Sequence, residues 1–570
     1  MPGFFISTLN GNSEPLDNFY NNNKSIKECI ENKSYSIKRN TLNKFLDDKI
    51  FSEDNRYIVI IEGVVLNKVE LINKYGKRNF FDTIVHQIDR GIDDFFKEFK
   101  GSFSGAVYKK GINEWIIFTN HIGDNQVFYY SDKGNFIIGN EVNYIVDTLN
   151  NHNIKYRLDE QAVYATLTFS FQIDNKTYIK EIEKLENGCY LKISKGKLVK
   201  IPYYQLTNDK YDLKNLNEDE LIEQIDMKFR KAITLEYNKD LEYGYTHFAE
   251  LSGGLDSRMN VWVASDLGYK NILALSYSKS GYFDARIAEQ VSTDLNINWI
   301  FKSLDSPEMI YDIEEIVKMN FGLDGYFNVT KSNTSYKHLN INNIGLCHTG
   351  QLGGAILGSY LKNNNGNTFN KFKYGYSNKL ANQLKFDKSV QYENEEMFAM
   401  NVRGFRGILN SHSVRRNYFE TVSPFLDIDM LEFCLSIPIE LRKNRTIYKK
   451  WILKKYPKAA EYKWEKTGAK MSLNSYTELM HKIRRRGWQK LSSLIGLETK
   501  AKADSMNPYQ YWYENSIQIR DFMDEYFNQF SNHPKISAEL KNDINKLYHN
   551  GTALEKSQVL TALATIKIYF

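Results

Sequence analysis

The chain has 570 residues, of which 42% are hydrophobic and 25% are charged, a composition typical of soluble globular proteins. This length exceeds what one hydrophobic core supports and predicts about two to four domains. The net charge of +6 is the balance of 75 basic and 69 acidic residues, which is too even to predict a nucleic-acid-binding protein. The densest basic cluster, Arg484–Arg486, is interpreted as a solvated helix face.

The cysteines and the apolar segments indicate the cellular compartment of the protein. The four cysteines are far apart and include no C-x-x-C pair, so neither a zinc site nor a disulfide framework is expected; they are Cys29, Cys189, Cys347 and Cys434. The first seven residues lack a basic segment and a cleavage site, and no run of about 18 apolar residues occurs. We therefore expect a cytoplasmic protein without a membrane span.

The first 200 residues are dominated by short alternating strands. A pair of helices is predicted at 80–90 and 91–99, between the predicted strands at 57–63 and 105–108. Strands with helices segregated among them predict an α+β sandwich over residues 1–200. The predicted strands are 57–63, 105–108, 115–118, 127–130 and 136–139.

A glycine-containing turn organises the rest of the chain. The residues of this turn are Leu251, Ser252, Gly253, Gly254, Leu255, Asp256 and Ser257, between a predicted strand at 243–248 and a predicted helix from 258 to about 267. Adjacent glycines let backbone N–H groups approach an anion, and the following helix directs its positive end to the same place. A polyphosphate suits this turn, and Asp256 is placed to hold the accompanying Mg²⁺. The alternative is an ordinary polar turn, and the Walker pattern is absent.

Several motifs together resemble one family. The turn resembles the pyrophosphate loop of ATP pyrophosphatases, and the segment 120–142 resembles the glutaminase half of class II glutamine amidotransferases. The stretch 186–191 resembles the family's P-P-G-H-Y-L, and 420–427 resembles its E-x-R-x-P-F-L-D. Over residues 1 to about 475 the chain is similar to asparagine synthetases and β-lactam synthetases.

The resemblance implies a fold for each half. Residues 1–200 are expected to form an Ntn-hydrolase-like αββα sandwich. Residues 206–570 are expected to form a doubly wound parallel-sheet ATP-pyrophosphatase domain, with C-terminal helices from about 475. Predicted parallel strands at 272–277 and 344–348 would carry the nucleotide at their carboxyl ends.

The resemblance also implies a reaction. A small-molecule, glycan or peptide carboxylate attacks the α-phosphorus of ATP, pyrophosphate leaves with Mg²⁺, and an amine or ammonia then displaces AMP to give an amide. Leu251, Ser252, Gly253, Gly254, Asp256, Ser257, Tyr277 and Gly350 are the expected ATP contacts, and Asp256 is the expected Mg²⁺ ligand. Lys466 is expected to offset developing charge, and Glu420 to accept a proton from the amine with Gln351 orienting it. Asp284 is interpreted either as a catalytic acid or as the N-cap of the next helix.

Three positions depart from the family pattern. Pro2 stands where the glutaminase half needs a thiol, so glutamine hydrolysis is not expected. Gly354 stands where the family has a second acidic residue for Mg²⁺, so waters, phosphate oxygens or Asp284 would have to complete the coordination. Gln351 stands where asparagine synthetases have Glu, and an amide is not a base near neutral pH.

These departures leave alternatives open. The ligase could tailor a surface glycan or natural product, close a lactam or close a macrolactam; the chain could instead be a catalytically silent nucleotide-binding scaffold, or retain glutaminase activity through another nucleophile. Substrate specificity is assigned to residues 362–406, where no motif occurs. The sequence leaves the oligomeric state open, a homodimer included.

Overall fold

In a computed structural model, the structure describes residues 2–9, 25–361, 369–386, 391–473 and 506–570, together with 480 and 483. Several predictions fall at least partly on residues outside these ranges. The Arg484–Arg486 cluster lies outside them, as do most of the predicted helical region between 474 and 505 and parts of the stretch assigned to specificity.

Two antiparallel six-stranded sheets form the N-terminal part of the chain. Their strands are β1 Gly3–Ser7, β2 Ser25–Glu31, β3 Ser36–Leu42, β4 Phe51–Glu53, β5 Tyr57–Val65, β6 Gly101–Lys109, β7 Glu114–Thr119, β8 Phe128–Asp132, β9 Asn135–Gly139, β10 Glu183–Lys184, β11 Cys189–Ser194 and β12 Lys197–Pro202. The first sheet has the order β10-β8-β9-β1-β3-β2 and the second the order β12-β11-β7-β6-β5-β4. The antiparallel sandwich predicted from the alternating strands is confirmed.

Helices cover the outer faces of both sheets. Those of this region are α1 Lys68–Tyr75, α2 Phe80–Asp89, α3 Val142–Asn151 and α4 Glu160–Phe169. Side chains alternate along each strand, so Ile58 and Ile60 of β5 join the core between the sheets while Val59 and Ile61 pack with α1 and α2. On the other sheet Phe5 of β1 packs with α3 and α4. The layers therefore run helix, sheet, sheet, helix.

A five-stranded parallel sheet follows. Its strands are β13 Thr246–Glu250, β14 Ile272–Ser278, β15 Asn298–Ser303, β16 Ile344–His348 and β17 Thr421–Val422, and a small hairpin adds β18 Lys463–Trp464 and β19 Ala469–Lys470. The strand order is β15-β14-β13-β16-β17. The chain therefore adds β14 and β15 on one side of β13 and then returns to add β16 and β17 on the other side, so the strand order reverses between β13 and β16. The crevice at the carboxyl ends of two such strands is where parallel α/β sheets bind ligands.

Helices also pack on both faces of the parallel sheet. The α-helices described between β12 and residue 461 are α5 Glu218–Glu242, α6 Leu255–Asp266, α7 Phe283–Asp294, α8 Ile313–Asn320, α9 Tyr326–Tyr336, α10 Glu395–Phe398, α11 His412–Arg415, α12 Ile428–Ser436, α13 Ile439–Arg442, α14 Thr446–Lys455 and α15 Pro457–Ala460. Ala249 of β13 joins a core with α5, α6 and α7, whereas the preceding residue Phe248 packs with α9 on the other face. A capping box between Asn217 and Glu220 fixes the start of α5.

The last described range, residues 506–570, contains four α-helices: α16 Tyr509–Asn515, α17 Ile517–Phe530, α18 Ala538–His549 and α19 Ala553–Tyr569. Leu563 of α19 belongs to the same core as Phe128 of the sandwich and Phe327 of α9. The C-terminal helices therefore pack against both the sandwich and the helices of the second half.

Some local predictions are corrected. The helix predicted at 91–99 is only a short 3₁₀ turn at Phe95–Glu98, because Gly91 takes a left-handed φ of +77° just after α2 ends. The strand predicted from 243 begins at Thr246, since Tyr243 still caps the end of α5. Asp284 is not an N-cap: the helix α7 begins after Tyr282, and Asp284 lies within its first turn.

Buried polar contacts join the sandwich to the second half. Lys239 Nζ lies 3.1 Å from Asp48 Oδ2, and the side chain of Gln126 donates to Asn410 at 2.6 Å. Removing one member of such a buried pair leaves the other charge or dipole without its partner. These contacts therefore fix the position of the sandwich relative to the second half.

None of the helices within the described residues combines the length and the apolar composition that crossing a membrane requires.

Candidate functional site

A cavity opens where the strand order of the parallel sheet reverses. It has a volume of about 500 Å³. Its lining comprises Glu250, Leu251, Ser252, Gly254, Leu255, Asp256, Ser257, Leu275, Ser276, Tyr277, Asp284, Thr349, Gly350, Gln351, Arg445, Trp464, Glu465, Lys466 and Met506. The loops after β13 and β16 meet here with the hairpin β18–β19, so the fold gathers residues that are far apart in sequence.

Most residues predicted from the sequence lie in this cavity. Of the expected nucleotide contacts, the seven that line it are Leu251, Ser252, Gly254, Asp256, Ser257, Tyr277 and Gly350. Gly253 lies just behind, where an added Cβ would be 2.7 Å from Asp284 Oδ1. Gln351 and Lys466 also line the cavity.

The loop after β13 is held by its own side chains. Ser252 N donates to Ser257 Oγ at 3.0 Å, and Gly254 N donates to Ser252 Oγ at 3.2 Å. Gly253 N donates to Asp284 Oδ1 at 2.6 Å. The next N–H groups belong to the first turn of α6, whose N-cap Gly254 supplies no side-chain acceptor. That first turn is therefore the part of the loop suited to an anion.

Gly350 closes one side of the loop. A Cβ at this position would lie 2.3 Å from Ser257 N and 2.4 Å from Asp256 C. The chain after β16 thus passes directly over the start of α6, which only glycine permits.

Asp256 is hydrogen-bonded through both oxygens. Its Oδ2 accepts from Gly354 N and its Oδ1 from Tyr448 Oη, each at 2.8 Å. Burial raises the pKa of Asp256, while the charge of Arg445 and the two hydrogen bonds act against this rise.

Asp284 is the second acid beside the loop. Burial raises its pKa to about 6, and the hydrogen bond from Gly253 N opposes that effect. This pKa suits proton transfer near neutral pH better than that of an exposed carboxyl group.

Two cations share one aromatic ring at the cavity wall. Arg445 Cζ lies 5.3 Å and Lys466 Nζ 5.6 Å from the centroid of the Trp464 ring. Both distances allow a cation–π interaction, which restricts where each long side chain can go. Both cations therefore lie beside Trp464 in the lining of the cavity.

Gln351 is held by a chain of side chains that reaches the sandwich. His412 Nδ1 lies 3.1 Å from Asp124 Oδ2, and Nε2 of the same ring contacts the amide oxygen of Gln351. The Gln351 amide also donates to Ser411 Oγ at 3.2 Å. Burial lowers the pKa of His412, with Asp124 opposing this effect. Asp124 and His412 position Gln351 without reaching the cavity themselves.

Tyr277 contacts an ion pair at the inner end of the cavity. Its hydroxyl donates to Glu250 Oε1 at 3.1 Å, and Arg415 Nη2 donates to Glu250 Oε2 at 2.9 Å. Burial raises the pKa of Tyr277 well above its ordinary value, and Glu250 adds to the rise. Tyr277 is therefore a neutral hydrogen-bond donor with an apolar ring face.

Glu420 does not reach the cavity, contrary to the role predicted for it. Its carboxylate pairs with Lys49 Nζ of the sandwich at 2.8 Å. Side chains two apart on a strand share a face, and Val422 packs with Phe45 and Val64 of the sandwich. Glu420 therefore points to the sandwich, and its role is in the contact between the halves.

The sequence did not indicate several of the residues that shape the site. Arg445 lies three residues before Tyr448, in a segment without a phosphate-binding motif. His412 is 61 residues from Gln351 and 288 from Asp124. Pairings at such separations carry no local sequence signal.

The sequence profile of the glutamine amidotransferase domain family matches residues 46–204. This match spans β4 to β12 and so covers the second sheet of the sandwich and part of the first. No curated protein matches the chain.

Two solved structures are similar at low level. One is described as the allosteric regulatory enzyme of purine biosynthesis, at 9% identity and TM-score 0.24, covering 53% of this chain and 74% of that one. The other is glutamine phosphoribosylpyrophosphate amidotransferase from B. subtilis complexed with ADP and GMP, at 9% identity and TM-score 0.24, covering 52% and 75%. Likeness at this TM-score carries no argument about the chain. The family profile is what indicates an amidotransferase-type domain at residues 46–204.

Proposed function

We propose that the chain is an ATP-dependent amide ligase of the asparagine synthetase type, which adenylates a carboxylate and transfers the acyl group to an amine. The observation that carries the proposal is the cavity at the strand reversal, which is lined both by the start of α6 and by the cations Arg445 and Lys466. A helix N-terminus and two cations in one cavity form an arrangement suited to a polyphosphate. The amidotransferase-type domain supports the same class of chemistry.

In the first step the carboxylate oxygen attacks the α-phosphorus of ATP, and the bond to the β-phosphate breaks. The first turn of α6 and the two cations stabilise the negative charge that accumulates on the leaving pyrophosphate. Tyr277 and Gly350 line the part of the cavity assigned to the nucleoside. The products are an acyl-adenylate and pyrophosphate.

In the second step an amine attacks the acyl carbon and AMP leaves. Lys466 balances the charge of the tetrahedral adduct, and Gln351 orients the amine through its amide. The proton released by the amine goes to Asp284, which lines the cavity and whose pKa is raised by burial to about 6. The acceptor is therefore assigned to Asp284 instead of Glu420.

Glutamine is not the proposed nitrogen source. Cys29 and Cys189 are the two cysteines of the first 204 residues. Burial raises the pKa of each thiol to about 11. A cysteine nucleophile needs a lowered pKa to act as a thiolate, so neither residue is activated for attack on glutamine.

The residues do not build a magnesium site by themselves. Both oxygens of Asp256 accept hydrogen bonds from the protein, Asp284 Oδ1 accepts one from Gly253 N, and Gly354 offers no carboxylate. Within the described ranges, the one group of three potential metal ligands is Asp240, His247 and His348, buried elsewhere. The steps above therefore use protein groups alone.

Exchange of labelled pyrophosphate into ATP tests the proposal. A panel of amino acids, uronic acids and peptide acids should contain at least one acid that supports exchange, and Lys466→Ala should reduce exchange about 10²- to 10³-fold. Lys463→Ala is the matched control, since Lys463 is an exposed residue of the same hairpin outside the cavity. Equal loss in both variants, or none in Lys466→Ala, would contradict the assigned role.

A silent nucleotide-binding scaffold is the second candidate. It is favoured by the loop itself, where Ser252 N, Gly253 N and Gly254 N already donate to side chains. Tight ATP binding without exchange across the whole acid panel would establish this alternative.

A further inference from the structure

The space beside Gly354 is filled by the guanidinium of Arg445. A Cβ built on Gly354 would lie 3.2 Å from Cζ and from Nη2 of Arg445, and 3.3 Å from Nε. An alanine at position 354 would require the guanidinium to shift by a few tenths of an ångström, and a longer side chain directed the same way would have to displace it. Arg445 can therefore occupy this position because residue 354 is a glycine.

The backbone holds Arg445 in an unfavourable conformation. Asn444 and Arg445 have φ values of +57° and +60°, in the left-handed region that non-glycine residues rarely occupy. Two consecutive residues of this kind turn the chain before α14 and send the Arg445 side chain into the cavity. Such strain persists where the surrounding structure fixes it, and it concentrates at functional sites.

Fixed partners determine where the positive charge lies. The Trp464 ring is 5.3 Å from Arg445 Cζ, and Arg445 acts electrostatically on the half-buried carboxylate of Asp256. Asp256 is in turn held by Gly354 N and Tyr448 Oη. Arg445, Asp256 and the start of α6 thus form one rigid wall.

We infer that Arg445 does at this site what a protein-bound metal ion would do: its guanidinium binds the β- and γ-phosphates of ATP, so the protein takes up the nucleotide without a divalent cation. The inference rests on the proposed function, because it concerns the same cavity. A guanidinium stays charged at all working pH values and presents parallel N–H groups that match two phosphate oxygens. Asp256 keeps the guanidinium in place and needs no metal of its own.

Calorimetric titration with α,β-methylene-ATP, a non-cleavable analogue, tests the inference in excess EDTA and again in excess Mg²⁺. The wild-type protein should bind the analogue with dissociation constants that agree within about threefold in the two buffers. AMP, which lacks the β- and γ-phosphates, is titrated in parallel.

Replacing Arg445 should affect the triphosphate selectively. Arg445→Gly removes the guanidinium and relieves the left-handed backbone, so this variant is expected to fold; it should bind the analogue about ten- to hundredfold more weakly and bind AMP unchanged. Arg445→Lys keeps the charge without the fork and should lie between the two. Lys443→Ala, at an exposed residue two positions earlier, is the matched control and should bind like the wild type.

The outcomes separate the inference from the proposed function. Binding of the analogue that requires Mg²⁺ in the wild type, or Arg445→Gly binding with wild-type affinity, overturns the inference and leaves the ligase intact. No binding of the analogue in either buffer overturns the proposed function itself. In the double variant Gly354→Asp with Arg445→Gly, a carboxylate replaces the cation, and binding should then depend on Mg²⁺.

Discussion

Substituting Gly350 by alanine tests the geometry of the site most sharply. The added Cβ would lie 2.3 Å from Ser257 N, whereas ordinary contacts of this kind begin at 3.4 Å. Because the opposing atoms are backbone, no side-chain rotation relieves the clash, and the loop or the start of α6 must move by about 1 Å.

The expected cost is large in activity and moderate in stability. Overpacking of this kind typically destabilises a protein by about 1–3 kcal/mol. A displacement of about 1 Å at a reacting centre can reduce the rate by about 10²-fold. Gly350→Ala should therefore fold with a lowered melting temperature and lose about 10²-fold in pyrophosphate exchange.

Gly254→Ala is the matched comparison. A Cβ at Gly254 meets only Ser252 Oγ, at 3.2 Å, and the φ of −70° suits alanine. Exchange should fall much less than in Gly350→Ala. If Gly350→Ala exchanges within about threefold of the wild type, the loop after β16 does not define the site and the reasoning fails.

Three further outcomes follow from buried charges. Glu420→Gln should lower the free energy of unfolding by about 3–5 kcal/mol, since it leaves Lys49 buried without its partner, while exchange per folded molecule stays unchanged. Asp124→Asn should slow amide formation about ten- to hundredfold by loosening Gln351, with pyrophosphate exchange retained. The pKa of His348 is about 9 because Asp240 and Glu236 outweigh the lowering effect of burial, so its stabilisation is complete below about pH 6.5 and disappears as the pH rises through about 9.

Each of these outcomes has its own control. Urea unfolding measures the free energy of unfolding of Glu420→Gln, and the double variant Lys49→Met with Glu420→Met should recover most of the lost stability. If folded Glu420→Gln is catalytically inactive, Glu420 is the base after all. The control for Asp124→Asn is Asp132→Asn, at an exposed position, which should leave both pyrophosphate exchange and amide formation unchanged. A stability curve of His348→Gln as steep as that of the wild type between about pH 6.5 and 9 would show that another group titrates.

The parts of the site that sequence predicts best are those built locally. A strand, two glycines and a helix follow one another within a few residues, so the turn at 251–257 and its position at a strand end follow from the chain order. The segment around Gly350 is likewise a strand followed by a turn. The alternation of short strands in the first 200 residues predicts the sandwich for the same reason.

The contacts that sequence does not predict depend on packing between distant segments. Whether Glu420 faces the cavity or the sandwich is decided by which face of β17 meets Phe45 and Val64. The left-handed conformation of Arg445 has no local signal, because the residue type does not favour it. His412 joins Asp124 and Gln351 only after the two halves have packed.

The central claim is that the cavity at the strand reversal holds the triphosphate of ATP. A crystal structure with α,β-methylene-ATP tests it most directly. The account predicts the β- and γ-phosphates within hydrogen-bonding distance of the first turn of α6 and of Arg445, with the nucleoside towards Tyr277. A triphosphate bound elsewhere, or an unliganded loop after β13 with nucleotide present at saturating concentration, would contradict it.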